Sequence, residues 1–310
     1  MTRKGDPVNA PDRASSADLV ALLSSASVEV SSRGHQLPEL KDHFAAGTDV
    51  TITFLPGDNY RHNIETAAAL RRAGFNPVPH IAAREIASRE ALDDFLGRAR
   101  GEADVGRVLL IAGDVVAAKG PFKSSRDVAA SGLLTAHGIG RVSIAGHPEG
   151  HPYLDEAGTV RLLQAWREWS RQADIRVDIV TQFCFESAAI LGWLGQLHAG
   201  GIDLPVIVGL AGPATPATLT KFALRCGIGN SMRALRGQIG RYGRLLTDAG
   251  PDDVMRGLQA ATGLATASIA GFHIFPFGGL RKAGNWLRGY PQEALRQIRE
   301  TASTEGSQNP

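Results

Sequence analysis

The sequence predicts a (β/α)8 barrel, in which eight parallel strands form a closed sheet surrounded by helices. Three observations predict this fold: eight short apolar runs suited to buried strands, a helical pattern after each run, and polar residues where the runs end. A doubly wound open sheet is the alternative, but no glycine-rich dinucleotide fingerprint follows any early strand. The strand-forming runs are residues 26–30, 50–55, 78–82, 107–112, 142–145, 177–185, 206–210 and 272–277.

The helical segments are recognised by their composition and by glycines that stop them. Residues 64–74 are rich in alanine and end at Gly74, and a second helix ends at Gly138. Between the seventh and eighth runs the alternation loosens, and we predict extra helices inserted there. The predicted helices are residues 37–46, 64–74, 90–100, 127–136, 160–172, 188–198, 215–225, 231–246, 252–264, 280–287 and 293–300.

The composition fits one large catalytic domain with a short segment at each end. The 310 residues are 43% hydrophobic, which gives ample chain for a sizeable core. We predict a flexible N-terminal arm over residues 1–25, a single barrel over residues 26–300, and a disordered polar tail over residues 301–310.

Charge and cysteine content limit the partners and the compartment. The formal net charge of +2 gives no electrostatic case for nucleic acid or an anionic membrane as partner. No stretch approaches the roughly twenty apolar residues of a membrane span, and no secretory signal is recognisable. The two cysteines, Cys184 and Cys226, are too few and too far apart for a disulfide framework or a zinc site. The sequence therefore predicts a cytoplasmic protein.

In a barrel of this class the active site lies where the strands end and the following loops begin. Glu29 is the most informative residue there, because it alternates with Val28 and Val30 and so points the opposite way from them. An acid facing the lumen is partly desolvated, which raises its pKa toward values useful to a general acid. The alternative is a solvated Glu29 that points outward. The other strand-end polar residues are Asp58, Asn59, His80, Asp114, His147, Glu149, His151, Gln182 and His273.

The stretch 141–152 begins as a strand and breaks into glycine, proline, histidine and glutamate. A polar turn, a metal site and an active-site wall are all compatible with His147, Glu149 and His151. The intervening prolines and the lack of a fourth ligand disfavour metal, so we predict no metal site. The sequence also lacks a serine elbow and a phosphate loop. One acid, one aspartate and one amide at the strand ends suit an organic cofactor better than hydrolysis.

Several motifs resemble those of one known family. Residues 145–152, Ala-Gly-His-Pro-Glu-Gly-His-Pro, resemble the Ala-x-Tyr-Pro-Glu-x-His-Pro signature of methylenetetrahydrofolate reductases. Residues 181–185, Thr-Gln-Phe-Cys-Phe, are similar to that family's Thr-Gln-Phe-Phe-Phe. Gly113-Asp114, Pro79-His80 and Val28-Glu29-Val30 match shorter family motifs in the right order.

The resemblance implies a (β/α)8 barrel that binds FAD at the carboxyl ends of its strands. It implies reduction of methylenetetrahydrofolate to methyltetrahydrofolate with NADH or NADPH as hydride donor. Glu29 would be the acid that protonates the folate and helps open it to an iminium cation. Asp114 would stabilise that cation and tune the flavin. Members of the family commonly self-associate, so a homo-oligomer is expected.

The resemblance also assigns binding residues. His147 stands where the family has tyrosine, and Ala112 where it has the arginine before Gly-Asp. The FAD contacts implied are Thr53, Phe54, His80, Gly113, Asp114, His147, Glu149 and His151, with Arg167 and Arg171 at the diphosphate. The folate contacts implied are Gln182, Phe183 and, for the glutamate tail, Arg281.

Three other functions remain open from the sequence. The first is a flavin-independent reductase that passes hydride directly from nicotinamide to folate. The second is a folate-dependent barrel methyltransferase, which the match at Glu29 and Thr181-Gln182 makes the weaker choice. The third is a non-catalytic relative, against which the retained Glu29 and Asp114 argue, since a pure binding protein needs no strand-borne acid. The physiological direction of the reaction stays open as well.

Overall fold

A computed structural model of the protein describes residues 16–33, 36–55, 57–151, 153–227, 248–261 and 268–306. Eight strands form a closed barrel in sequence order, each parallel to the next, with β8 closing on β1. The predicted (β/α)8 barrel is confirmed. The strands are β1 (Ser27–Ser31), β2 (Asp49–Thr53), β3 (Asn76–Ala82), β4 (Arg107–Ile111), β5 (Arg141–Gly146), β6 (Arg176–Thr181), β7 (Val206–Ala211) and β8 (Ile269–Phe275).

Helices connect the strands and cover the barrel. Two of them, α9 and α10, lie between β7 and β8 and confirm the extra helices predicted there; predicted helical residues 231–246 and 262–264 lie outside the described residues. No helix in the described ranges is long and apolar enough to cross a membrane. The helices are α1 (Ser16–Leu22), α2 (Leu37–His43), α3 (Tyr60–Arg72), α4 (Arg89–Ala103), α5 (Ser125–Ala130), α6 (Leu133–Ala136), α7 (Glu156–Ala173), α8 (Ser187–Ala199), α9 (Pro216–Arg225), α10 (Asp252–Ala260) and α11 (Leu280–Gly306).

Short polar side chains fix the points where helices begin. Asn59 accepts a hydrogen bond from a backbone N–H of the first turn of α3, and Asp155 does the same for α7. Ser124 and Asp127 form a reciprocal capping box at α5. Each of these caps follows the carboxyl end of a strand. They therefore also fix the loops that surround the open end of the barrel.

Strand residues alternate between two apolar regions. The outward-facing set, including Val28, Ile52 and Val108, is buried against the surrounding helices. The inward-facing set forms a smaller apolar layer across the lumen, made of Val78, Leu109, Val180 and Ile207. This layer fills the middle of the barrel, as inward side chains do in this fold.

A network of charged residues fills the lumen at the amino-terminal ends of the strands. Arg107 contacts Asp49 at 2.6 Å and Asp178 at 3.0 Å, and its Nε donates to Ser143 Oγ at 3.0 Å. Arg141 contacts the other oxygen of Asp178 at 2.5 Å. The four charges compensate one another, as buried charges must. The network closes this end, so the lumen opens toward the carboxyl ends, where Ala145 is exposed.

Both ends of the described chain correct the predicted boundaries. Residues 16–25 are not a flexible arm: Leu19, Val20 and Leu23 are at most 2% exposed, because α1 packs its apolar face against β8, α10 and α11. Residues 1–15 lie outside the description. At the other end α11 continues through Thr301 to Gly306, since no proline or glycine interrupts residues 301–305.

Candidate active site

Glu29 projects from β1 into the lumen near its open end. Its neighbours Val28 and Val30 are buried against the helices, whereas the Glu29 side chain keeps 20% of its surface exposed. Glu29 Oε2 lies 3.8 Å from Nε2 of His80 on β3. Burial raises the pKa of the Glu29 carboxyl to about 8, so it carries its proton at neutral pH. The structure therefore supplies a carboxylic acid at the mouth of the barrel.

Two histidines lie in the lumen with Glu29. Burial lowers the pKa of His80 to about 4, and burial, His80 and Arg107 lower that of His273 to about 3. His273 Nδ1 is 2.8 Å from Ser27 Oγ. Both rings are neutral at pH 7. His80 was predicted along FAD, but alternation on β3 directs it inward beside Glu29. No specific role was predicted for His273.

Asp114 and Cys226 reach the same mouth from two loops. Asp114 follows Gly113, whose φ of 91° turns the chain away from β4 into the loop above the barrel. Cys226 is the residue after α9. Cys226 is exposed, but partial burial of its thiol, then the carboxyl groups of Glu29 and Asp114, raise the pKa of that thiol, and Arg225 acts in the opposite direction. Glu29 and Asp114 therefore act electrostatically on the same thiol. Sequence reasoning missed Cys226, because its position depends on how the β7–β8 connection folds back.

The loop after β5 forms a polar wall of the mouth. His147, Glu149 and His151 are half-buried, and the two imidazole rings meet edge to face at 4.8 Å. Burial, then the neighbouring His151, lowers the pKa of His147 to about 4. His151 Nδ1 accepts the backbone N–H of Tyr153 at 3.1 Å. Across the described part of the chain, no three histidine, cysteine or acidic side chains converge as a metal site.

The ends of β5, β6 and β7 are tied together beside this wall. Thr181 Oγ1 accepts the backbone N–H of Gly209 at 2.9 Å, and the backbone N–H of Gln182 donates to the Gly146 carbonyl at 2.8 Å. Gln182 Oε1 accepts the N–H of Phe183 at 3.1 Å. This contact orients the Gln182 amide and leaves its nitrogen able to donate to a ligand.

The structure does not present Phe54 and Phe183 as ligand contacts. Phe54 is 8% exposed and stacks on Tyr60, with ring centroids 4.3 Å apart. Phe183 is fully buried and packs edge to face against Phe185 and Phe275. Each ring follows a strand end and packs into apolar surroundings, and a contact of either ring with a ligand stays a prediction.

Arg167 and Arg171 lie at the wrong end of the barrel for the predicted FAD diphosphate contact. They occupy the last half of α7, which descends from the mouth to the start of β6. Arg167 Nε contacts Asp203 at 2.7 Å, and Arg171 contacts the same carboxylate at 3.8 Å. Asp203 precedes β7, which confirms the placement at the amino-terminal end. Their positive charge is thus directed away from the candidate site.

Thr53 and Arg281 complete the set of predicted residues. Thr53 ends β2 half-buried, and its hydroxyl donates to the Val30 carbonyl at 3.3 Å. Arg281 has an exposed side chain in the first turn of α11, directly after β8. Its backbone N–H donates to Glu39 Oε1 at 2.9 Å, which fixes its position at the carboxyl-terminal side. Thr53 and Arg281 both lie at the carboxyl-terminal end of the barrel, which is where the resemblance places the ligands.

We expect Gly146→Ala to disturb the end of β5. An added Cβ would lie 2.6 Å from Ile179 Cγ2 and 3.0 Å from the Trp193 ring. Overpacking of this kind costs about 1–3 kcal/mol of the free energy of unfolding, which urea denaturation would measure. Gly140→Ala is the matched control, because nothing lies within 4 Å of its added Cβ. Equal stability losses in the two variants would contradict the packing argument.

Comparison with known proteins adds little beyond this geometry. No protein-family model matches the chain. Among solved structures, a tetrameric deoxyribose phosphate aldolase from Aeropyrum pernix is 12% identical, with a TM-score of 0.47 over 89% of this chain and 93% of that chain. The assignment of the barrel rests on its closed strand order, not on this likeness.

Proposed function

We propose that the barrel interconverts methylenetetrahydrofolate and methyltetrahydrofolate by hydride transfer, with Glu29 as general acid. The observation that carries the proposal is the Glu29 carboxyl at the lumen mouth, whose pKa burial raises to about 8. A group that is protonated at neutral pH and able to lose its proton is what an acid catalyst requires. The folate substrate is proposed because the motifs between Glu29 and Gln182 match those of methylenetetrahydrofolate reductases in the same order.

The proposed chemistry assigns a task to each polar group at the mouth. The Glu29 proton goes to a folate ring nitrogen, the adjacent carbon–nitrogen bond breaks, and an iminium cation forms while Glu29 becomes a carboxylate. A hydride that originates from NADH or NADPH then adds to the iminium carbon, so that the methyl group and oxidised nicotinamide are the products whether or not a carrier stands between the two. The Asp114 carboxylate stabilises the cation, and the Gln182 amide donates to the pterin. Arg281 is proposed to bind the glutamate tail.

The residues present fit only part of an FAD molecule. When bound, FAD would accept hydride from the nicotinamide and deliver it to folate. Gly113, Asp114 and Thr53 lie at the mouth, where a flavin ring would need backbone and polar contacts. The basic residues predicted for the diphosphate instead pair with Asp203 at the opposite end. His147 gives no compensating charge there, because its lowered pKa keeps it neutral. The predicted FAD site is therefore not matched at the diphosphate, and no step is assigned to flavin.

This mismatch favours a second candidate, a reductase in which nicotinamide transfers hydride directly to folate. Such an enzyme needs the acid and the cation-stabilising carboxylate but no site for a second dinucleotide. Glu29 and Asp114 serve both candidates equally. By microscopic reversibility the same groups also serve oxidation of methyltetrahydrofolate, in which the Glu29 carboxylate accepts the proton.

The absorbance of the purified protein and its folate-dependent oxidation of NADH test these proposals together. We expect a colourless protein that oxidises NADH when methylenetetrahydrofolate is added. A yellow protein, bleached by NADH and recoloured by the folate, would instead support FAD as carrier. Absence of folate-dependent turnover with either NADH or NADPH, with FAD added or omitted, would contradict the proposed function.

A further inference from the structure

We propose that His80 is a positioning residue for Glu29, whose acid proton it holds through a hydrogen bond accepted at Nε2. The catalytic meaning of this inference rests on the proposed function. The inference itself concerns the protonation of Glu29, which can be measured without folate. It replaces the contact with FAD that the resemblance implies for His80.

The His80 ring nitrogen Nε2 is isolated in the lumen. His80 is 8% exposed, and within the described residues its Nε2 is buried without a hydrogen-bond partner. Buried polar atoms in native proteins are nearly always satisfied, so an orphaned one calls for an explanation. The Glu29 carboxyl faces this nitrogen, with Oε2 3.8 Å away. A small rotation of either side chain brings the two atoms within hydrogen-bond distance.

The surroundings of Glu29 and His80 favour the uncharged form of both side chains. His273 and Arg107 lie deeper in the lumen, and Arg107 is already paired with Asp49 and Asp178. Asp114 and Cys226 lie toward the mouth. Burial opposes both an imidazolium and a carboxylate, so the neutral acid and the neutral ring coexist.

Neutral Glu29 and neutral His80 are complementary as hydrogen-bond donor and acceptor. In the tautomer that carries its proton on Nδ1, Nε2 of His80 is an acceptor, and the Glu29 O–H is a donor. Once Glu29 is ionised, the lone pair on His80 Nε2 and the negative carboxylate repel each other. Both effects favour the protonated form of Glu29. The contact therefore keeps Glu29 protonated and orients its hydroxyl within the lumen until the substrate binds.

The test is a titration of Glu29 by ¹³C NMR in protein labelled at the glutamate carboxyl groups, with Glu29→Gln used to assign the resonance. His80→Leu removes the acceptor, and we expect it to lower the pKa of Glu29 by roughly one unit. His80→Gln keeps an acceptor oxygen and should leave the pKa near the wild-type value. Should His80→Leu not fold, His80→Met fills the site without a ring nitrogen and takes its place.

Thr51→Val is the matched control. Thr51 is the β2 residue in register with Glu29, is 3% exposed, and has a buried hydroxyl without a partner among the described residues. We expect this change to leave the Glu29 titration unaltered. An unshifted pKa in His80→Leu, or equal shifts in His80→Gln or Thr51→Val, would overturn the inference. If His80→Leu lowers the Glu29 pKa as expected but the wild-type protein does not turn over folate, only the proposed function is contradicted.

Discussion

Glu29→Gln is expected to slow methylenetetrahydrofolate reduction by about 10²- to 10⁴-fold, the usual contribution of a general acid. Glutamine keeps the size and polarity of the side chain but has no proton of suitable acidity to give. The loss should appear in kcat with little change in the KM for folate, because the proton moves only in the transition state. Stopped-flow measurement of folate-dependent NADH oxidation would determine it. Retention of wild-type turnover would remove Glu29 from the mechanism.

The pH dependence of the free energy of unfolding gives a second prediction for Glu29→Gln, and its measurement also shows that the variant is folded. The pKa of Glu29 is about 8 in the folded protein, against an ordinary value of 4.5. The folded state therefore binds more protons than the unfolded state between these values, and wild-type stability falls as the pH rises through this window. Glutamine removes the titration. Glu29→Gln should gain stability relative to wild type on going from pH 5 to pH 8, as measured by urea unfolding.

Asp178→Ala is expected to produce the largest loss of stability, about 3–5 kcal/mol of the free energy of unfolding. Asp178 is 2% exposed and is the carboxylate that Arg107 and Arg141 share. Its removal leaves two guanidinium groups with fewer partners at the closed end of the lumen. Denaturant unfolding at fixed pH would measure the change. Because this network is remote from the mouth, the folded fraction should retain its KM for substrate.

Arg167→Ala is the control for that prediction. It also breaks an ion pair, with Asp203, but Asp203 is 64% exposed and Arg167 32% exposed. Pairs of this kind contribute about 0–1 kcal/mol. A loss in Arg167→Ala as large as that in Asp178→Ala would show that burial does not decide the strength of these pairs.

The barrel was predictable because its signals are local. Each strand is a short apolar run, two of the early helices end at a recognisable glycine, and eight repeats leave few alternatives. The inward direction of Glu29 followed from the same logic, since side chains alternate along a strand. The charged network has an equally local signal, because Asp49, Arg107 and Asp178 lie at inward positions near the starts of three strands.

The errors arose where position depends on long-range packing. Phe54 and Phe183 follow strand ends, but only the surrounding aromatic rings decide that they are buried. The resemblance implied a diphosphate contact for Arg167 and Arg171, whereas the direction of α7 carries them away from the mouth. The partnership of Glu29 with His80 joins two strands that are not adjacent. No local pattern encodes such a contact.

The central claim is that a carboxylic acid at position 29, protonated at neutral pH, drives folate reduction. Its most direct test is the single-turnover rate of methylenetetrahydrofolate reduction as a function of pH, in wild type and in Glu29→Gln. The account predicts a wild-type rate that is constant near neutrality and falls as the pH rises through about 8, with no such fall in the variant. A wild-type rate that already falls near pH 4.5, the ordinary pKa of a glutamate, would contradict it.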